Sequence, residues 1–250
     1  MPSHITSFRF SQAVVVALAA GLLLSGCTFE DTEQKTANAD ATVAEAVTAV
    51  EVKDARRGSI EVTPAAGPGV AIHRTVHYRG DAAPKPAQRV SGGVLTFTDG
   101  CSDTCYIDYR LEVPASATVK LESSSGNVTV AGVAAADLVS SSGDVKAEGI
   151  AGPLKVRTSS GSVTATGLAG PTADVRASSG DARLVFTKPP TSATAETSSG
   201  DVTLTVPQAP YEITTATTSG NQDTFPTTPK APSHLSVHTT SGDILIAPAG

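Results

Sequence analysis

Read outward from a recurring Ser-Gly dipeptide, the second half of the chain alternates apolar and polar positions with a period of two. Seven residues before each glycine stand Val119, Ala136, Leu154, Ala173, Ala193, Ile213 and Leu235. Five before come Leu121, Leu138, Val156, Val175, Ala195, Thr215 and Val237. Two after come Val128, Val145, Val163, Ala182, Val202, Gln222 and Ile244, and four after Val130, Ala147, Ala165, Leu184, Leu204, Thr224 and Ile246. Between them fall Lys120, Glu122, Asp137, Lys155, Arg157, Asp174, Arg176, Glu196, Lys146 and Arg183. Strict alternation of this kind predicts strands with one dry and one wet face, not helices.

The glycines themselves, Gly126, Gly143, Gly161, Gly180, Gly200, Gly220 and Gly242, lie 17, 18, 19, 20, 20 and 22 residues apart, a solenoid period. Each copy predicts a strand, a Ser-Gly-Asp corner, a second strand and a second corner. The second corners begin at Gly132-Val133, Gly149-Ile150 and Gly167-Leu168, and the later ones run through Pro189-Pro190, Pro207 to Pro210 and Pro226 to Pro232. At the first corner glycine is expected to supply a positive φ, and Asp or Asn to bond its own backbone. Two short strands cannot bury an apolar face alone, so neighbouring coils must stack. The expected fold is all-β, a single-chain β-solenoid with two strands and 17–22 residues per coil. A meander or sandwich also places strands every ~8–12 residues, but it has no reason to repeat its corners. The sixth copy, with Gln222, Asp223 and Thr224, is expected to be a loop.

The N-terminal region reads differently. His4 and Arg9 lead into the apolar run Ala13 to Leu24, which ends in Leu24-Ser25-Gly26-Cys27. That run is short for a membrane span, and residues 1–26 read as a signal peptide. Small residues just before a cysteine form a lipobox, resembling bacterial lipoprotein signals in which the cysteine is lipidated; Cys27 is the expected lipidation site. Residues 27–48 carry five acids against one lysine and are expected to be a disordered acidic tether. Residues 49–115 are less regular, with echoes of the repeat at Gly58-Ser59-Ile60-Glu61-Val62 and Gly93-Val94-Leu95. Val70, Ile72, Val76 and Tyr78 share a strand face that Arg74 interrupts. This stretch is expected to be an N-terminal β cap with the first coils, ahead of solenoid repeats over 116–250.

Net charge is −6, which argues against nucleic acid as a partner. Cys101 and Cys105 flank Ser-Asp-Thr; in an exported protein a tight turn brings such a pair within disulfide range. Their spacing is not Cys-x-x-Cys, and two thiols are too few for structural zinc. The corner acids Asp144, Asp181, Asp201 and Asp243, with Asn127 and Asn221 in register, form the best candidate column for chemistry. Stacked at ~4.8 Å, two of them approach a glycosidase pair, and calcium could bridge them. Turn chemistry accounts for them equally well. On a strand His73 and His77, like His234 and His238, stand ~13 Å apart and cannot share a metal. No cofactor is expected.

Cys105-Tyr-Ile-Asp-Tyr-Arg-Leu-Glu-Val-Pro114, followed by Val119-Lys-Leu-Glu-Ser-Ser-Ser-Gly-Asn-Val-Thr-Val130, resembles the bacterial putative-adhesin β-strand-repeat family, a domain of unknown function. The paired cysteines before the Tyr-rich strand are similar to those of its actinobacterial lipoprotein members. The resemblance covers about residues 49 to 250. It implies a β-solenoid on the cell exterior and an adhesive role. With the lipobox, the expectation is a non-enzymatic, lipid-anchored protein of the extracytoplasmic membrane face, with an envelope polysaccharide or surface protein as candidate partner; an envelope polysaccharide-binding or -processing β-helix protein is the alternative. It brings no catalytic residues.

Overall fold

Side chains in the repeat region alternate between buried and exposed along every pair of strands, so the chain folds into two sheets facing each other across a dry interior. The computed structural model describes residues 33–249 apart from 54, 99 and 102–104. They belong to one unit, Thr32–Gly250. The expected signal peptide, Cys27 and the start of the expected tether lie outside the described residues. Among the described residues all regular structure is strand.

The first part of the unit supplies β1 (Lys35–Asn38), β2 (Ala41–Val43), β3 (Ala49–Val52), β4 (Ile60–Ala65), β5 (Val70–Tyr78), β6 (Ala87–Ser91), β7 (Val94–Thr98) and β8 (Tyr106–Pro114). Each repeat then gives a pair. These are β9 (Thr118–Ser123) with β10 (Val128–Ala131), β11 (Ala135–Ser140) with β12 (Val145–Glu148), and β13 (Leu154–Ser160) with β14 (Val163–Leu168). Next come β15 (Thr172–Ser179) with β16 (Ala182–Phe186), and β17 (Ser192–Ser199) with β18 (Val202–Val206). The last two are β19 (Glu212–Ala216) with β20 (Gln222–Thr224), and β21 (His234–Ser241) with β22 (Ile244–Pro248). The first member of each pair joins a ten-stranded sheet and the second a twelve-stranded one. Pairing between coils is parallel and in register: Val128, Val145, Val163, Ala182, Val202 and Ile244 form one inward row. The expected β-solenoid, two strands to a coil, is the fold.

The coils do not stack in chain order. The larger sheet runs β8-β4-β10-β12-β14-β16-β18-β22-β20, and the smaller mirrors it. At the C-terminal end the last coil, β21 and β22, sits between its two predecessors, so the sixth copy becomes the outermost. At the other end β3 and β4 lie between β9/β10 and β7/β8 in the same manner. The sixth copy is therefore a terminal coil with strands of its own, not a loop. Its Gln222 and Thr224 are tolerated because no further coil lies beyond them to dehydrate that side.

Both ends are closed. The interior of the repeats is narrow, filled by Val, Leu and Ala, and an aromatic pair stands at each end. Phe97 and Tyr109 meet edge-on at 5.3 Å in the cap, and Tyr211 and Phe225 at 6.0 Å beyond the terminal coil. The proline-rich segment after Phe225 also shields the free edge of β19: Ile213 N donates to Thr227 Oγ1 and Thr228 N to Tyr211 O. Covering an edge in this way blocks strand addition by another chain.

Residues 33–48 are not a tether. β1 and β2 pair antiparallel with β5, and Val43 and Val47 are buried. The Ala/Thr-rich composition conceals a period of two, since Ala37, Ala39, Ala41 and Val43 all turn inward. Arg74, the interruption in the β5 face, stays on that face and is buried. Its Nε donates to Ala39 O at 2.8 Å and its Nη2 to Gln88 Oε1 at 2.7 Å, clamping the β1–β2 link to the opposite sheet. Burial lowers its affinity for the proton, partly offset by Tyr109 and Asp40.

Candidate functional site

The corner column is the first place to look for chemistry. Its seven glycines form one aligned row, and Gly58 extends it into the cap: a Cβ at each would strike the carbonyl oxygen of the next glycine, or of Ile107 in the case of Gly58. Positive φ explains only part of this. Gly126 and Gly143 lie outside the left-handed region, and close backbone approach alone requires glycine there.

The corner acids do not bond their own backbone. Each reaches to the adjacent coil: Asp144 N donates to Asn127 Oδ1 at 3.1 Å, Ser162 N to Asp144 Oδ1 at 2.8 Å, Asp201 N to Asp181 Oδ1 at 2.9 Å, Asp243 N to Asp201 Oδ1 at 2.8 Å, and Asn221 N to Asp243 Oδ1 at 2.7 Å. Asp108 does the same for Ser59 N. Corner N–H groups without a strand partner thus find acceptors. Asn and Asp are interchangeable in this role, as they are in the sequence. The carboxylates stand exposed.

A second column, inside the corner, was hidden from the pattern of apolar slots. Three residues before the glycine the inward position holds Ser123, Ser140, Thr158, Ala177, Thr197, Thr217 and Thr239. Ser140 Oγ both accepts from Gly143 N and donates to Gly143 O, while Thr197, Thr239 and Thr217 donate to Gly180, Gly200 and Gly242 O. These hydroxyls satisfy carbonyls of the glycine row. Thr158, only 6 % exposed, is the exception: its Oγ1 is buried with no hydrogen-bond partner. The alternation of period two, carried one step further, would have found this column.

A cleft of about 530 Å³ opens on the outer face of β1, β5, β8 and β4. Two rows of outward residues cross it, Asn38, Thr75, Asp108 and Ser59, then Asp40, His73, Arg110 and Glu61. Ionisable groups meet in pairs within it. Arg110 Nε lies 2.9 Å from Glu61 Oε2 and His73 Nδ1 3.6 Å from Asp40 Oδ2. Asp108 Oδ2 meets His77 Nε2 at 2.8 Å, and His77 stacks on Tyr106 at 4.4 Å between centroids. Arg74 fixes one wall from beneath through Ala39 O, next to Asp40.

Of the other expected sites, Cys101 and Cys105 are disulfide-bonded, with Cα atoms 5.4 Å apart. His73 and His77 face separate carboxylates, and His234 lies 3.3 Å from Glu212. Among the described residues no group of three metal-ligating side chains converges.

Residues 87–247 match the family described as Toastrack DUF4097. The chain belongs to the Toastrack family. Solved structures similar to this Toastrack protein include a putative adhesin from Bacteroides fragilis, 13 % identical over 88 % of this chain and 99 % of that one, with a TM-score of 0.45. A putative cell adhesion protein from Clostridium sporogenes is 9 % identical over 87 % of this chain and 100 % of that one, with a TM-score of 0.38. A putative adhesin from Parabacteroides distasonis is 12 % identical over 88 % and 98 %, also with a TM-score of 0.38. No curated protein matches. The Toastrack match begins at β6, so most of the cleft-forming strands lie ahead of it.

Proposed function

We propose that this Toastrack protein is a lipid-anchored adhesin of the extracytoplasmic membrane face, holding a component of the cell envelope without catalysing a reaction. The observation that carries the binding role is the use made of the corner acids. Their oxygens are engaged by the neighbouring coil, so the one long column of carboxylates serves the scaffold. What is left outward is a rigid platform of polar side chains. The Cys101–Cys105 disulfide supports an oxidising compartment, and the Leu24-Ser25-Gly26-Cys27 lipobox supports the anchor.

Among envelope components, polysaccharide is favoured as the partner by the polar cleft in the cap.

Two measurements test the proposal. Cys27→Ala should release the protein from washed membranes, and unchanged membrane retention would refute the anchor. Full-length protein in detergent micelles, immobilised and passed over an envelope extract, should retain an envelope polymer or protein that a Val163→Asp variant with disrupted coils does not. Equal retention by both would refute the binding role.

A further inference from the structure

We propose that the cleft in the cap binds an uncharged sugar segment of an envelope glycan. The inference rests on the binding role argued above and names its site and ligand class. Among the described residues Leu245 is the one large apolar side chain that stands exposed. The long faces carry smaller hollows, of about 270, 380 and 350 Å³. Where β1, β5, β8 and β4 meet, the surface folds into a cleft of about 530 Å³, within the ~300–1,000 Å³ of typical ligand sites.

The chemistry of its walls selects the ligand. A sugar hydroxyl donates one hydrogen bond and accepts others, so it is best met by a donor and an acceptor side by side. The Arg110–Glu61 pair and the His73–Asp40 pair each present that combination on the outer face, in adjacent positions of one row. Asn38, Thr75 and Ser59 in the second row add groups able to do both. The carboxylates Asp40, Glu61 and Asp108 stand against the guanidiniums of Arg110 and Arg74, so acids exceed bases by one and the cleft has only a small net charge with which to prefer an ion. The rows are four strands wide, ~14 Å across, which suits a short oligosaccharide. Arg74 acts as a positioning residue, holding the Ala39 carbonyl and so the Asp40 wall against β5. An open polar site of this kind binds weakly, near millimolar, and gains strength from many anchored copies on one polymer.

The test uses full-length protein in detergent micelles and three neutral probes: β-1,4-linked tetrasaccharides of glucose and of N-acetylglucosamine, and an α-1,4-linked tetrasaccharide of glucose. Polygalacturonate and inorganic phosphate serve as charged comparators. Saturation-transfer NMR and calorimetry should detect millimolar binding of at least one neutral probe. Asp40→Ala and Arg110→Ala, both at exposed positions, should each weaken it about tenfold, one hydrogen bond's worth. Lys146→Ala, outside the cleft on the same sheet, should leave it unchanged. The proposal is overturned if no neutral probe binds, if the cleft variants bind as well as wild type, or if a charged comparator binds more tightly. Retention of envelope material with no sugar binding would sink the cleft alone. Sugar binding with no envelope retention would sink the adhesin reading alone.

Discussion

Gly242 packs against Gly200, forty-two residues back along the chain, while Gly220 lies on its far side: a Cβ on Gly242 would strike the Gly200 carbonyl oxygen, and a Cβ on Gly220 that of Gly242. The last coil is therefore inserted, and the coil before it is the lid. Peeling the C-terminus from this solenoid means breaking two coil interfaces at once. The same arrangement at β3 and β4 protects the other end. Solenoids usually fray from their terminal repeats; here the C-terminal coil of the sequence is interior in space.

Gly143→Ala separates the two reasons for corner glycine. Gly143 has no left-handed φ, so only contact with the Gly126 carbonyl opposes a methyl group. Overpacking of this kind should cost about 1–3 kcal/mol. Chemical denaturation measures it. Stability equal to wild type would show that the coils can separate freely at this point.

Asp201 accepts from Asp243 N while its own N–H donates to Asp181. Asp201→Asn keeps an acceptor at Oδ1 and removes one charge from a row of like charges, so it should match or exceed wild-type stability. Asp201→Ala should lose about 0.5–1.5 kcal/mol. Thermal unfolding with and without calcium should give the same ranking. A drop for Asn equal to that for Ala, or a calcium-dependent rise confined to wild type, would mean that the charge itself is used.

Thr158→Val should stabilise the protein. Its hydroxyl is buried and unbonded, and replacing an unsatisfied polar group by a methyl of the same shape recovers roughly 1–3 kcal/mol. Thr197→Val, which deletes a donor to Gly180 O, should have the opposite sign. Paired denaturation curves decide it, and equal effects of the two would contradict the hydrogen-bond assignment.

Tyr211 gives the alkaline limb of stability. Burial raises its phenol above the usual value near 10, and its Oη donates to Pro207 O at 2.9 Å. The folded state holds the proton more tightly than the unfolded chain does. Its contribution is therefore complete below about pH 10 and fades as pH rises through the folded value. Tyr211→Phe should lower stability at neutral pH and flatten the decline above pH 10, read from melting temperatures across that range.

Much of this fold was legible because inward and outward slots repeat at fixed distances from Gly126 through Gly242. The pattern could supply the number of coils but not their order. Parallel strands of near-identical sequence can pair with either neighbour, and Ser199 fits Ser219 as well as it fits Ser241. The one hint was the polar trio at Gln222, Asp223 and Thr224, which marks a coil with solvent on one side. The tether was misread because Ala37, Ala39 and Ala41 are too small to signal a buried face by composition. The cleft was beyond reach for another reason: Asp40, His73, Arg110 and Glu61 meet only through the successive pairings of β2 with β5, β5 with β8 and β8 with β4, which no local spacing encodes.

The most direct test of the inserted coil is a pair of crosslinks. Ser199 and Ser241 are exposed register partners on adjacent strands, ~4.8 Å apart and within disulfide range. Ser199 and Ser219 are separated by the coil between them. In protein carrying Cys27→Ala, the double variant Ser199→Cys with Ser241→Cys should oxidise rapidly to an intramolecular disulfide, seen by mass spectrometry of a peptide joining the two segments. Ser199→Cys with Ser219→Cys should stay reduced under the same conditions. Crosslinking of the second pair in place of the first would restore simple chain order and contradict the structure described above.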